Sequence, residues 1–261
     1  MHDPSSLAAL EVVTSSLAYL RENLEDDSLS LTLLSARADL NEFQMIRLFK
    51  ALTGVTPAKF LFAMRMDTAK RLLLETDRSV TDICFDVGYN SLGTFISRFT
   101  STVGVSPGKF RGFRDEDPTR LFTLLDHLLQ AGGRDHAEGL TGEVHAPSGF
   151  SGLVFVGCFS SCIPEARPQG CAITFNDATF SLPFKSIGGK QKIFAAGVPW
   201  HNMEKTFLQA EGYWRARART KDGRIEIALR PAEQLDPPIV TYLPALVSGW
   251  ELECKRRTTR N

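Results

Sequence analysis

Arg47 and Lys50 stand out first, because their spacing puts a guanidinium and an ammonium on one face of a helix, in line with Phe43 and Ile46. Positions 43, 46, 47 and 50 follow the i, i+3, i+4, i+7 rule, and so do Met45, Leu48, Phe49 and Leu52 on the opposite side. The second stripe is a core face. The first is either an ordinary solvated face or a contact surface for an anion. An arginine there can meet a guanine edge with two hydrogen bonds, a lysine can meet a phosphate, and an aromatic or aliphatic side chain can cover a thymine methyl group. Fifty residues later the equivalent positions are Gly93, Ile96, Ser97 and Thr100, with hydroxyls and apolar surface but no cation. Arg98 sits one step round, where the first copy has core Leu48, and a long arginine stem can snorkel from such a border position to a phosphate.

The copies are marked by their ends. Phe49-Lys50-Ala51-Leu52-Thr53-Gly54-Val55-Thr56-Pro57-Ala58-Lys59-Phe60 recurs as Phe99-Thr100-Ser101-Thr102-Val103-Gly104-Val105-Ser106-Pro107-Gly108-Lys109-Phe110. A glycine that ends a helix, followed by a proline that cannot continue one, is a physical stop signal. Upstream, Leu31 to Ala38 reads as a helix, Asp39-Leu40 as a turn, and Asn41 as the N-cap of the next helix. In the second copy Ser79 caps a helix through Val87, Gly88-Tyr89 turns, and Asn90 or Ser91 caps the helix that follows. Helix, short turn, helix is the arrangement whose second helix enters a DNA major groove. Two readers at a fixed separation suit a periodic ligand. The helix expected over Ala58 to Glu75 spans about 26 Å. With the width of the packed units added, this is compatible with the roughly 34 Å between successive major grooves on one face of B-DNA. One chain then fills two grooves without dimerising.

These motifs resemble the DNA-binding domain of the AraC/XylS family of bacterial transcription regulators from about Ser5 to Arg114. The resemblance rests on Arg47-Leu48-Phe49 before Thr53-Gly54-Val55-Thr56-Pro57, on Arg65-x-x-x-Ala69 with Leu72-Leu73, and on Gly88-Tyr89 with Phe95 and Phe99 before Gly104-Val105-Ser106-Pro107. It implies seven helices in two helix-turn-helix units joined by one long helix, with double-stranded DNA as ligand and RNA polymerase as a further partner. The DNA-contacting set implied is Phe43, Gln44, Ile46, Arg47 and Lys50 in the first unit and Ser91, Gly93, Thr94, Ser97 and Arg98 in the second. Two departures from the family pattern are Ser97, where many members have arginine, and the placement of the domain at the N-terminal end.

Charge supports this only locally. The whole chain carries 30 basic and 30 acidic residues. Asn41 to Arg114 holds 11 Lys or Arg against 6 Asp or Glu, while Glu22, Glu25, Asp26 and Asp27 cluster ahead of it. That excess predicts low, salt-sensitive affinity for non-specific DNA. Residues 1–114 are therefore read as the helical domain and 115–139 as a linker, opened by Asp115-Glu116-Asp117-Pro118 and striped by Leu121, Leu124, Leu125, Leu128 and Leu129. Residues 140–250 are a β-domain and 251–261 a basic tail with Lys255-Arg256-Arg257 and Arg260.

In the β-domain, Leu153–Phe159, Cys171–Phe175 and Ile193–Val198 read as buried strands. Arg215–Thr220 and Arg224–Leu229 read as half-exposed ones around a Lys221-Asp222-Gly223 turn. Close-spaced strands without helices between them predict a β-sandwich, immunoglobulin-like or transthyretin-like. The stretches Gly142 to Gly152 and Phe180 to Phe184 loosely resemble the transthyretin-like or carboxypeptidase-regulatory-like sandwich, which implies a fold and not an activity. The expected class is multidomain α and β, an all-α double helix-turn-helix domain followed by an all-β sandwich.

Catalysis has little to stand on. The common nucleophile, metalloprotease and nucleotide-binding patterns are absent, and no cofactor is expected. Cys158, Cys162 and Cys171 with His145 or His201 admit a thiol or metal sensor, or an enzyme localised by its helical domain, as the alternative function. Their spacing is not a zinc pattern, and buried cysteines are ordinary core residues. Trp200, Trp214 and Trp250 with Tyr213 and Phe207 either line a small-molecule effector cavity or simply fill the core, the commoner role of large aromatics. Five cysteines and no secretory signal fit a reducing cytoplasm, and no apolar run is long enough for a membrane span.

Overall fold

The repeated stop is built the same way twice. In the computed structural model, which describes residues 4–115, 139–176, 178–182, 192–202, 213–221 and 224–242, Gly54 and Gly104 both take the left-handed conformation, with φ of 79° and 104°. Each closes its helix through its N–H, to the Lys50 carbonyl at 2.9 Å and the Thr100 carbonyl at 3.1 Å. Thr56 and Ser106 then cap the next helices through their hydroxyls, with Pro57 and Pro107 in the first turn, where the missing N–H costs nothing.

Among the described residues seven helices result: α1 (Pro4–Glu22), α2 (Leu31–Arg37), α3 (Glu42–Thr53), α4 (Pro57–Glu75), α5 (Val80–Asp86), α6 (Leu92–Val103) and α7 (Pro107–Gly112). Asn41, with Gln44, makes a full capping box on α3, and Ser79 with Asp82 does the same on α5. The α2–α3 turn forces Asp39 to φ 52°, while the α5–α6 turn uses Gly88 at φ 74°. The spacing of the two phenylalanines, repeated in both copies, brings their rings together. Phe49 and Phe60 meet edge to face at 5.7 Å, and Phe99 and Phe110 repeat that contact at 5.7 Å. All four rings are fully buried, each worth about 1.5–3 kcal/mol in transfer from water.

The β part has two sheets packed on one apolar core. The four-stranded sheet has the order β4-β1-β8-β7 and the five-stranded sheet β3-β2-β5-β6-β9. The strands are β1 (Leu140–His145), β2 (Gly152–Phe159), β3 (Gly170–Phe175), β4 (Ala178–Leu182), β5 (Lys192–Pro199), β6 (Trp214–Arg217), β7 (Arg219–Lys221), β8 (Arg224–Ala228) and β9 (Arg230–Pro231). β1 runs parallel to β8, and the other pairs are antiparallel. Val154, Val156, Cys158, Ile193 and Ala195 face Val144, Phe180, Leu182, Ile225 and Ile227 across the core. The single strand expected over Arg215–Thr220 is broken at Ala218, whose N–H reaches the Ile193 carbonyl at 3.1 Å, and its halves serve different sheets.

β2 is buried along its whole length, so its outer face is covered too. Pro164, Ile239 and Thr241 lie over Phe155, Phe159 and Phe194. These covering segments are also the join to the helical domain. Ile163, Val240 and Tyr242 belong to the helical core, and Tyr242 packs its ring on Phe110 and Phe113. The Ala166 and Tyr242 N–H groups donate to the carbonyls of Thr102 and Val103, at the end of α6, at 2.5 and 3.2 Å. From α4, Lys59 pairs with Glu165 at 2.5 Å. Lys70, almost completely buried, donates to the Ile239 carbonyl at 2.7 Å with Asp67 at 3.2 Å. Tyr213 lies in the same region, and burial pushes its hydroxyl up to about 12. The leucine stripe of 121–129, the Asp222-Gly223 end of the expected turn and the basic tail lie outside the described residues, as do Phe207 and Trp250.

Candidate nucleic-acid interface

The two second helices present what their sequence stripes require. On α3, Met45 and Phe49 are fully buried while Leu48 and Leu52 are half-buried. On the other side Phe43, Gln44, Arg47 and Lys50 are exposed and Ile46 is half-buried. Phe43 is 74% exposed, an unusual state for a phenylalanine on a well-packed helix. Arg47 and Lys50 have no ion-pair or side-chain hydrogen-bond partner among the described residues. Gln44 is partly committed, because its Oε1 accepts the Asn41 N–H at 3.0 Å, which leaves its amide N–H₂ as the free end.

On α6, Phe95, Phe99 and Val103 form the buried stripe, and Gly93, Thr94, Ile96, Ser97 and Thr100 are exposed. Ser91 and Thr94 spend part of their capacity on capping. The Thr94 N–H reaches Ser91 Oγ at 3.4 Å, and the Thr94 hydroxyl donates to the same oxygen at 3.2 Å. Gly93 has open space where a side chain would be, so another molecule's backbone can approach closely there.

Arg98 has a setting the sequence did not reveal. Its guanidinium lies 5.5 Å above the Phe62 ring of α4 and hydrogen-bonds the Tyr89 hydroxyl, which opposes the upward push of burial on that phenol. It stands at a cleft of about 260 Å³ between the two units, lined also by Leu31, Leu61 and Arg65. Arg65 bridges the units from α4, donating to the carbonyls of Leu24 at 3.2 Å and Asp26 at 2.7 Å. Burial lowers its pKa, while Tyr89, Asp26 and Asp27 act the other way. Gly88 packs on this junction so tightly that a Cβ there would lie 2.4 Å from Arg65 Nη2 and 2.5 Å from the Leu24 oxygen. In the sequence Phe62 is one apolar residue among many in α4, and Tyr89 is part of a turn. Only the packing of the units makes them a seat for Arg98.

The other candidate groups do not assemble. Cys158 is buried in β2, where burial pushes its thiol up, Cys171 is half-buried and Cys162 is exposed. No group of three metal-ligating side chains exists among the described residues. Trp200 is exposed beside Phe175, whereas Trp214 packs on Phe150 at the β-core. No described helix is long and apolar enough to cross a membrane.

Two helix-turn-helix units with outward-facing second helices define a DNA-binding domain of the helix-turn-helix class. Residues 34–112 match a family model described as a helix-turn-helix domain. The chain is 33% identical over 107 residues to the transcriptional activator NphR of Rhodococcus sp, covering 41% of this chain and 32% of that protein. It is 30% identical over 99 residues to the melibiose operon regulatory protein of Escherichia coli (strain K12), covering 38% and 32%. Among solved structures, the DNA-binding domain of the global transcriptional factor AdpA in complex with a target DNA is 29% identical, covering 41% of this chain and 96% of that one, with a TM-score of 0.39. Over residues 34–112 the helical part is thus similar to a helix-turn-helix domain, and the chain spans about a third of the length of the curated relatives it matches.

Proposed function

We propose that the protein is a sequence-specific DNA-binding transcription regulator that sets α3 and α6 in two successive major grooves of double-stranded DNA. The observation that carries this is the exposure of both outward stripes while the β part is docked on α4, the end of α6 and α7. The docked chain is therefore already open to DNA. Arg47 takes a guanine edge, Phe43 and Ile46 cover apolar base surface, Gln44 offers its amide N–H₂, and Lys50 meets a phosphate. On α6, Gly93 permits close approach and Ser91, Thr94 and Ser97 offer hydroxyls. Arg98, held on Phe62 and Tyr89 at the cleft between the units, meets backbone phosphate. The protein acts without catalysis or cofactor, in the cytoplasm. Its β part is a transthyretin-like or immunoglobulin-like sandwich that takes a small-molecule effector or a protein partner, RNA polymerase among them.

Selection of bound duplexes from a random pool tests this. The full chain should enrich one asymmetric site of about two helical turns. Arg47→Ala should cost about 1–3 kcal/mol on that site and relax preference at one or two positions, whereas Arg98→Ala should weaken selected and random DNA alike. Failure of the wild type to enrich any sequence, or an unchanged preference in Arg47→Ala, overturns the assignment.

A further inference from the structure

The exposed stripe of α3 runs Phe43, Arg47, Lys50 and then stops, for a reason the helix end dictates. The next position on that face is Gly54, four residues beyond Lys50 and hydrogen-bonded to its carbonyl. At φ 79° this site strains every residue but glycine, so the helix that needs its stop cannot carry a cation there. A cation arrives from elsewhere. Nη1 of Arg217, on β6, lies 4.0 Å from where a Cβ of Gly54 would sit. Arg217 is exposed and has no ion-pair or side-chain hydrogen-bond partner among the described residues.

Its strand is held firmly for this. In Trp214-Arg215-Ala216-Arg217-Ala218, alternate residues face opposite sides. Ala216 and Ala218 pack toward the β-core, and Arg215, two residues before Arg217, is buried. Arg215 donates to the Pro237 carbonyl at 2.6 Å and lies 3.6 Å from Asp236. One arginine fixes the strand, and the next projects past the end of the recognition helix.

We propose that Arg217 is a DNA-backbone contact supplied by the β part, extending the Arg47–Lys50 line of α3 by one phosphate. The inference rests on the DNA-binding reading above. It gives the β part a direct share in affinity and none in base preference, because a cation at the helix end is continuous with the phosphate-facing part of the stripe. The alternative role is intramolecular, with Arg217 only balancing the negative end of the α3 dipole.

The test uses the full chain with Arg217→Ala, Arg217→Lys and Arg217→Glu, on the selected duplex and on random-sequence duplex across a salt series. Losing one phosphate contact should make the slope of log K against log salt shallower by about 0.9 on both duplexes. This weakens binding about eight-fold at 0.1 M salt, the factor that such a slope generates between 1 M and 0.1 M. Arg217→Lys should keep the wild-type slope, Arg217→Glu should lose more than Arg217→Ala, and the selected sequence should not change. A wild-type slope in Arg217→Ala overturns the inference, and a lowered Tm accompanying it assigns the residue to the helix end instead. If the wild type selects a sequence, Arg47→Ala alters it and Arg217→Ala leaves the slope alone, only this inference fails. A wild type that binds no DNA removes both.

Discussion

Replacing Tyr242 by alanine strikes the join between the two parts without entering either core from its own side. The ring centroid lies 4.9 Å from that of Phe110, edge to face at 71°, and 4.8 Å from that of Phe113, stacked at 20°. It is only 6% exposed. Returning such a side chain to water costs about 1.5–3 kcal/mol, and each aromatic pair adds about 0.5–1.5 kcal/mol beyond its area. Together these give about 2.5–6 kcal/mol, which brackets the about 3–5 kcal/mol found when buried aromatics are cut to alanine. Urea unfolding of the full chain can locate the loss. Ellipticity at 222 nm reports the helices α1 to α7, while Trp200 and Trp214 lie in the β part and report it. The wild-type curves should superimpose. In Tyr242→Ala the helical curve should move down by about 1 M urea or more, given an m-value of about 1–3 kcal/mol/M, and part from the tryptophan curve. Tyr242→Phe keeps both ring contacts and should cost about 1 kcal/mol at most. Superimposed curves for Tyr242→Ala, with a loss below about 1 kcal/mol, would refute the claim that this ring couples the two parts.

Two further outcomes follow from the packing. Gly88→Ala must place a Cβ against Arg65 and the Leu24 carbonyl at φ 74°, so it should lower stability by more than the about 1–2 kcal/mol of left-handed strain alone, measured by thermal melting. A cost no greater than that would mean the junction yields easily. Asp236 is pulled up by burial but held below the usual carboxylate range overall by its fork to Arg230 at 2.6 and 2.8 Å, with Arg215 and the Glu233 N–H helping. A depressed carboxylate contributes stability above its unfolded pKa and loses it as pH falls through the folded value, so the Asp236 contribution should fade below about pH 4. Asp236→Asn should lose about 1 kcal/mol at pH 7, since Arg230 is solvent-screened, and show a flatter acid limb in pH-dependent unfolding, and an unchanged acid limb would discount the fork.

The helical domain was largely legible because its signals are local. Gly54-x-Thr56-Pro57 and Gly104-x-Ser106-Pro107 state a stop and a restart within four residues, and Asn41 and Ser79 cap within three. The buried and exposed stripes of α3 follow from a 3.6-residue period alone. In the β part, the buried strands β2 and β5 were legible for the same reason, whereas β3, read as buried, lies at the edge of its sheet and is mostly half-buried, with Phe175 exposed. β1 was not, because Gly142 and Glu143 interrupt its pattern, and its parallel pairing with β8 joins residues some eighty positions apart. The join between the parts left no periodic trace. Nothing in the sequence pattern marks Ile163, Val240 and Tyr242 as part of the helical core, and the acceptor of Lys70 lies 169 residues away. Arg98 shows the same limit within one site: its place on the helix could be read, but its seat on Phe62 and Tyr89 could not.

Lys70 bears on how far the helical domain can be treated as a portable part. Its ammonium is enclosed, with the Ile239 carbonyl as one of its acceptors. A cut after Asp115 would take that acceptor away, together with the residues that cover Val103, Phe110 and Phe113. A β-domain borrowed from elsewhere would have to present a bare carbonyl and an aromatic ring at the same two spots. The stretch that matches a helix-turn-helix family ends at residue 112, yet the surface it needs continues to residue 242. Exchanging the β part at that sequence boundary would therefore yield a fragment with an apolar patch inviting self-association, until the patch and Lys70 are redesigned together.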